Sequence, residues 1–224
     1  MNIDVLHRNS LPLGGFAGLK EHRLVVDKRV GGNSNTWDGL GNFVYLADAR
    51  FLPKGETTMH THKEIDVISV LVEGRISHEG SLENGRSMAA GQAQAQRAGG
   101  EGFSHNEINP DDKENRMIQL WVLPETPGQP AGYKFYDLEQ DKVTRIYGGL
   151  ANQNKTLDSH TVIEVGMLSA GQNVLLTGEF LAYISSGGGD LSGKAIKDGD
   201  LIRGSSLNFE ATYDDTQVII IRVE

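Results

Sequence analysis

The chain has 224 residues, enough for one large β domain or two smaller ones whose cores stand without staples. It contains no cysteine, which excludes disulfides, thiolate metal sites, iron–sulfur clusters and a thiol nucleophile, so any bound metal must be held by nitrogen and oxygen. A formal charge of -9 without a long Lys/Arg run argues against nucleic acid as a direct partner.

The opening stretch, MNIDVLHRNSLPLGG, lacks a basic region followed by an unbroken apolar run, and no later segment approaches the ~20 apolar residues of a membrane span. The sequence therefore predicts a cytoplasmic protein with no membrane partner. Twenty-eight glycines and short runs rich in Val and Ile, without sustained 3.6-residue periodicity, predict many short strands joined by tight turns. In chain order the predicted strands are Leu24–Val26, Asn42–Ala47, Asp66–Val72, Arg75–Glu79, Met117–Leu123, Val162–Val165, Phe180–Ile184 and Val218–Val223. Turns are expected at Gly31-Gly32-Asn33, Pro53-Lys54-Gly55, Glu83-Asn84-Gly85, Ala98-Gly99-Gly100, Asn109 to Asp112 and Gly187 to Asp190. A β-sandwich or barrel follows.

Pro124–Gly132 has the composition of a linker, which places a domain boundary between there and Gly149, and on either side of it the chain repeats itself weakly. Leu52-Pro53-Lys54-Gly55, Val70 to Gly74 and Ala90-Gly91-Gln92 are echoed by Leu168 to Gly171, Tyr183 to Gly187 and Asp198-Gly199-Asp200. Two copies of one β unit would produce this, with clustered histidines only in the first.

Two segments carry chemistry. Met59-His60-Thr61-His62 and Phe103-Ser104-His105-Asn106-Glu107 each place two donors two residues apart, hence on one face of a strand. Three imidazoles and a carboxylate suit one divalent transition metal, and such a nitrogen/oxygen set does not choose strongly among Fe, Mn, Co, Ni, Cu and Zn. Four protein ligands on a six-coordinate ion leave two positions open for substrate. Asp66, on the His62 face by strand parity, is placed to hydrogen-bond a ligand imidazole, and His78 is expected to sit behind the ligands or to be structural. His7, His22 and His160 are isolated. Neither a phosphate loop nor a Gly-x-Ser-x-Gly nucleophile motif is present.

The stretches HTHKEIDVISVLVEGRISHEGSLENG, AAGQAQAQRAGGEGFSHNEINP and RMIQLWVLP resemble, in order and spacing, the two motifs and following strand of the pirin family of bicupins. Asp66 stands where that family usually has Glu, and His-Thr-His replaces the usual His-Pro-His. The resemblance implies an all-β bicupin of two packed, jelly-roll-like cupin β-barrels, with an N-terminal domain at 1–132 holding the metal and a degenerate C-terminal domain at 133–224. It implies His60, His62, His105 and Glu107 as ligands, with Fe(II) the preferred ion.

The resemblance further implies, as the expected function, a metal-dependent dioxygenase of the quercetin 2,3-dioxygenase type, taking a small flavonol-like aromatic substrate and O2, with Glu107 the expected catalytic base. The rival expectation is a non-enzymatic metal or redox sensor that acts through a protein partner.

Overall fold

A computed structural model describes residues 3–32, 35–82 and 86–224. Asn33 and the expected turn at Glu83-Asn84-Gly85 lie outside the described residues. The strands are β1 (Asp4–His7), β2 (Gly14–Phe16), β3 (Leu19–Val26), β4 (Phe43–Phe51), β5 (His60–His62), β6 (Asp66–Glu73) and β7 (Arg75–Gly80). They continue as β8 (Ser87–Ala89), β9 (Gln92–Arg97), β10 (Phe103–Ile108), β11 (Arg116–Val122), β12 (Gly132–Asp137) and β13 (Lys142–Gly149). The remainder are β14 (Ser159–Leu168), β15 (Asn173–Ser186), β16 (Gly188–Leu191), β17 (Lys194–Lys197), β18 (Asp200–Ala211) and β19 (Thr216–Val223). The only helical elements among the described residues are short 3-10 turns at Arg8–Ser10 and Lys28–Val30. Every strand predicted from hydropathy falls on an observed strand, mostly a longer one.

Two compact units form, Leu11–Asp137 and a second made of Met1–Ser10 with Leu138–Glu224. The division falls at 137/138 rather than at the expected 132/133, within the stretch up to Gly149 where composition places a boundary, and pairing decides the exact point. Strand β12 adds to β9 and so belongs to the first unit, while β1 adds to β18 and carries the N-terminal residues into the second. Pro124 to Ala131 is irregular, as its prolines require, but it precedes the last strand of the first unit rather than separating the units.

The first unit has a seven-stranded antiparallel sheet ordered β12-β9-β6-β11-β4-β3-β2 and a four-stranded sheet ordered β5-β10-β7-β8. Leu19, Phe51, Leu71, Ile76, Met88 and Met117 form one apolar cluster of its core. In the second unit the order β1-β18-β15-β19-β14-β13 repeats β12-β9-β6-β11-β4-β3 strand for strand, with β16 and β17 as the counterpart of the β7–β8 hairpin. Equivalent turns use glycine in the left-handed region, Gly74 (φ 75°) with Gly187 (φ 67°) and Gly91 (φ 81°) with Gly199 (φ 90°). Two of the three echoes seen in the sequence are these turns.

The copies differ where it matters. Between β9 and β11 the first unit inserts β10, and between β4 and β6 it inserts β5; the second unit has four residues at each place, 212–215 and 169–172. Both inserted strands carry histidine.

Candidate metal centre

Strand β10 lies between β5 and β7, and its register decides the centre. His105 stands opposite His60, Phe103 opposite His62, and Glu107 opposite His78. Strand alternation turns His60, His62, His105 and Glu107 to the same side, where all four line a cavity of about 370 Å³ in the first unit. Gly80 faces His105 across the β7–β10 ladder; a Cβ there would lie 2.1 Å from the Ser104 carbonyl oxygen, so only glycine lets the strands approach this closely.

The imidazoles converge through Nε2. His105 Nε2 lies 2.9 Å from His60 Nε2 and 3.1 Å from His62 Nε2. Two nitrogens bound at right angles to one ion at 2.0–2.1 Å stand about 2.9 Å apart, so this spacing fits ligands of one first-row metal. The Nδ1 of His60 is 2.9 Å from the Thr58 carbonyl, which can only accept; His60 therefore carries its proton on Nδ1 and presents a bare Nε2. Thr58 holds that carbonyl in place from a left-handed backbone (φ 64°), a strained conformation for a β-branched residue.

Burial, and then the neighbouring His60, push the pKa of His62 down to about 4. Burial and the surrounding imidazoles push that of His105 down to about 2. Both are neutral at pH 7, the form that binds a metal. Glu107 is fully enclosed, and burial raises its pKa to about 7 against the opposing effect of the Ser69 hydroxyl. Its Oε1 makes no hydrogen bond of good geometry, and a buried carboxylate oxygen left so is a group waiting for a partner. The donor set thus fits a divalent ion.

Not every sequence-predicted residue falls at one point. The three imidazoles of His60, His62 and His105 form one group with ligand atoms within 4.8 Å of one another, while Glu107 groups with His105 and His78. His105 is common to both. His78 is buried behind it, with Nε2 2.7 Å from His105 Nδ1 and 3.8 Å from Glu107 Oε1. Asp66 pairs with Arg97 across β6 and β9 at 3.0 Å, both side chains buried. The partners that orient the candidate ligand imidazoles here are thus Thr58 and His78.

Sequence reasoning passed over several residues of the centre. Gln94 lies 3.1 Å from His78 Nδ1 and accepts from the Tyr133 hydroxyl at 3.0 Å. Tyr45 and Trp121 stack at 4.1 Å on the cavity wall, and Glu21 accepts from both Arg23 and Tyr45. One signal was available in QAQAQR, a strict alternation whose polar members would ordinarily face water; Gln94 and Gln96 are buried instead.

Fold and centre together define an all-β protein of two cupin-type units with a His/Glu candidate site for one divalent metal in the first. Residues 32–122 match the pirin family model. The fold is shared over the whole length with the bacterial pirin YhhW of Escherichia coli, solved in complex with nickel(II), at a TM-score of 0.82 and 17% identity, covering 99% of each chain. The pirin likeness is thus carried by the family-model match over residues 32–122 and by the shared fold. The quercetin 2,3-dioxygenase of E. coli K12 is 33% identical over 76 residues, 34% of this chain and 32% of the relative. That match therefore spans about a third of the relative's length. A Pseudomonas aeruginosa protein that carries the same enzyme name provisionally is 28% identical over 176 residues, 73% of this chain and 75% of its own length.

Proposed function

We propose that the chain is a metal-dependent dioxygenase of the quercetin 2,3-dioxygenase type, with Fe(II) held by His60, His62, His105 and Glu107 and a flavonol-like aromatic compound as substrate. The observation that carries this reading is that the converging imidazoles and the buried carboxylate open onto one cavity of about 370 Å³, a volume suited to a small molecule. A sensor acting through a partner would instead want a shallow centre beside an exposed apolar patch.

A divalent ion there supplies Lewis acidity toward a substrate oxygen and, as iron, one-electron chemistry with dioxygen. The protein does the rest. Tyr45 and Trp121 give a flat wall against which an aromatic ring stacks, and Val26, Phe51 and Met117 line the same cavity with apolar surface that excludes water. Glu107, buried with an Oε1 that makes no hydrogen bond, is the carboxylate placed to take the proton of a flavonol hydroxyl. Anaerobic loading with Fe(II), followed by quercetin and air, should release carbon monoxide. Absence of turnover with every first-row divalent metal would overturn the proposal.

A further inference from the structure

Five hydrogen bonds run in series through the centre, and their donors can be assigned one after another. The Tyr133 hydroxyl donates to Gln94 Oε1 at 3.0 Å, which leaves Gln94 Nε2 as donor to His78 Nδ1 at 3.1 Å. An imidazole that accepts at Nδ1 carries its proton on Nε2, so His78 Nε2 donates to His105 Nδ1 at 2.7 Å. By the same logic His105 carries its proton on Nε2 and donates to the bare Nε2 of His60 at 2.9 Å, and His60 Nδ1 donates to the Thr58 carbonyl. Gln94, His78 and His105 are each about 1% exposed, so water does not interrupt the series.

This polarity is incompatible with a metal on His105 Nε2, because a protonated nitrogen has no lone pair to give. We infer that Tyr133, Gln94, His78 and His105 form a reversible hydrogen-bond chain whose direction inverts when the centre takes up a metal. In the loaded form His105 carries its proton on Nδ1 and donates to His78 Nε2. His78 then carries its own on Nδ1 and donates to Gln94 Oε1, the amide having turned over, and Gln94 Nε2 donates to the Tyr133 oxygen. Each imidazole moves one proton from Nε2 to Nδ1, no proton leaves the chain, and the three hydrogen bonds that join Tyr133, Gln94, His78 and His105 are kept with donor and acceptor exchanged.

The turned amide has a second consequence. Gln94 Nε2 now donates to Gln96 Oε1 at 3.4 Å, while Gln96 Nε2 is buried without a hydrogen bond. With Gln94 presenting Oε1 on that side, a Gln96 turned likewise donates to it. His78 and Gln94 are therefore positioning residues. They select the tautomer of His105, and an amide is suited to the task because it donates and accepts from the same atoms' positions by rotating half a turn.

The inference rests on His105 as a metal ligand, and zinc, being diamagnetic, separates the two questions. In protein with nitrogen-15-labelled histidine, long-range proton–nitrogen correlation spectra should place the His78 proton on Nε2 in the chelator-treated form and on Nδ1 after one equivalent of zinc. The dissociation constant, measured by competition with a chelator, should rise about 10- to 100-fold in Gln94→Leu and return to or below the wild-type value in Gln94→Glu, whose carboxylate can only accept. A role in packing alone would penalise the buried charge of Gln94→Glu at least as much as Gln94→Leu. Zinc binding with His78 in one tautomer throughout would overturn the inference while leaving the metal centre intact; failure to bind any zinc would overturn both.

Discussion

His60 faces His105 directly across the β5–β10 ladder, and their Nε2 atoms stand 2.9 Å apart. Neither strand is long. What places the pair is the register, since a slip of one residue would turn every donor to the other side. His62 completes the set from the same face of β5, so its removal tests the assignment with least disturbance to the fold. His62→Ala should abolish stoichiometric metal while the chelated variant melts within a few degrees of the chelated wild type. At a metal concentration a hundredfold above Kd, loading should stabilise the wild type by about 2.7 kcal/mol and the variant not at all. Retention of one equivalent of metal by the variant would contradict the ligand assignment.

Gly80 supports this register from the opposite side of β10. A methyl group there would meet the Ser104 carbonyl oxygen at 2.1 Å and the His105 Cα at 2.8 Å, both backbone atoms that cannot swing aside. Gly80→Ala should therefore push β7 and β10 apart, costing about 1–3 kcal/mol and weakening metal binding about tenfold or more through displaced His105. Thermal melting of the chelated protein and a chelator-competition titration measure the two effects separately. Unchanged metal affinity would mean that β10 is held by β5 alone.

Much of this was legible in the sequence, and the part that was not has a physical cause. His60, His62, His105 and Glu107 could be picked out because two-residue spacing maps onto one strand face whatever the surrounding fold. The strands rich in Val and Ile were likewise visible from composition. Strand β9 was not, because Gln-Ala-Gln-Ala-Gln carries little β-propensity and reads as solvent-facing, whereas the sheet buries both of its faces. The domain boundary was bracketed by composition, between Pro124–Gly132 and Gly149, but its exact place at Asp137 was not legible, for a different reason. An edge strand's allegiance is set by which neighbour it pairs with, and β12 and β1 each join the unit from which a division at 132/133 would exclude them.

The second unit shows what the same topology does without polar inserts. Ser69 pairs with Gln94 across β6 and β9, and the equivalent positions across β15 and β18 are Ala182 and Ile202. Both belong to a continuous apolar cluster with Phe180, Ile184 and Phe209. Placing a glutamine at Ile202 should cost about 3–5 kcal/mol, combining lost apolar burial with an amide that finds no partner. Urea unfolding of Ile202→Gln gives the value; a cost below about 1 kcal/mol would mean that the second unit's interior admits water.

Acid sensitivity should be read at Asp27, away from the metal ligands. Its carboxylate accepts from Arg29 Nε at 2.8 Å and Nη2 at 3.0 Å, from the Arg29 backbone at 2.9 Å and from the Gly39 backbone at 3.0 Å. It thereby caps the 3-10 turn Lys28–Val30, whose Val30 lines the cavity. The Arg29 side chain, opposed by burial and assisted by the two backbone donors, holds the pKa of Asp27 well below the carboxylate range. A depressed value means that the folded state binds this proton less readily than the unfolded chain. The stabilisation is accordingly complete above the ordinary aspartate pKa of about 4 and is lost as pH falls from there through the folded value. Asp27→Asn should cost about 1–2 kcal/mol at pH 7, as expected for losing a charged cap. The gap between wild type and variant, measured by urea unfolding at pH 7, 4 and 3, should narrow only below about pH 4. A gap of the same size at pH 3 as at pH 7 would show that the ionised carboxylate is not what holds this wall of the cavity.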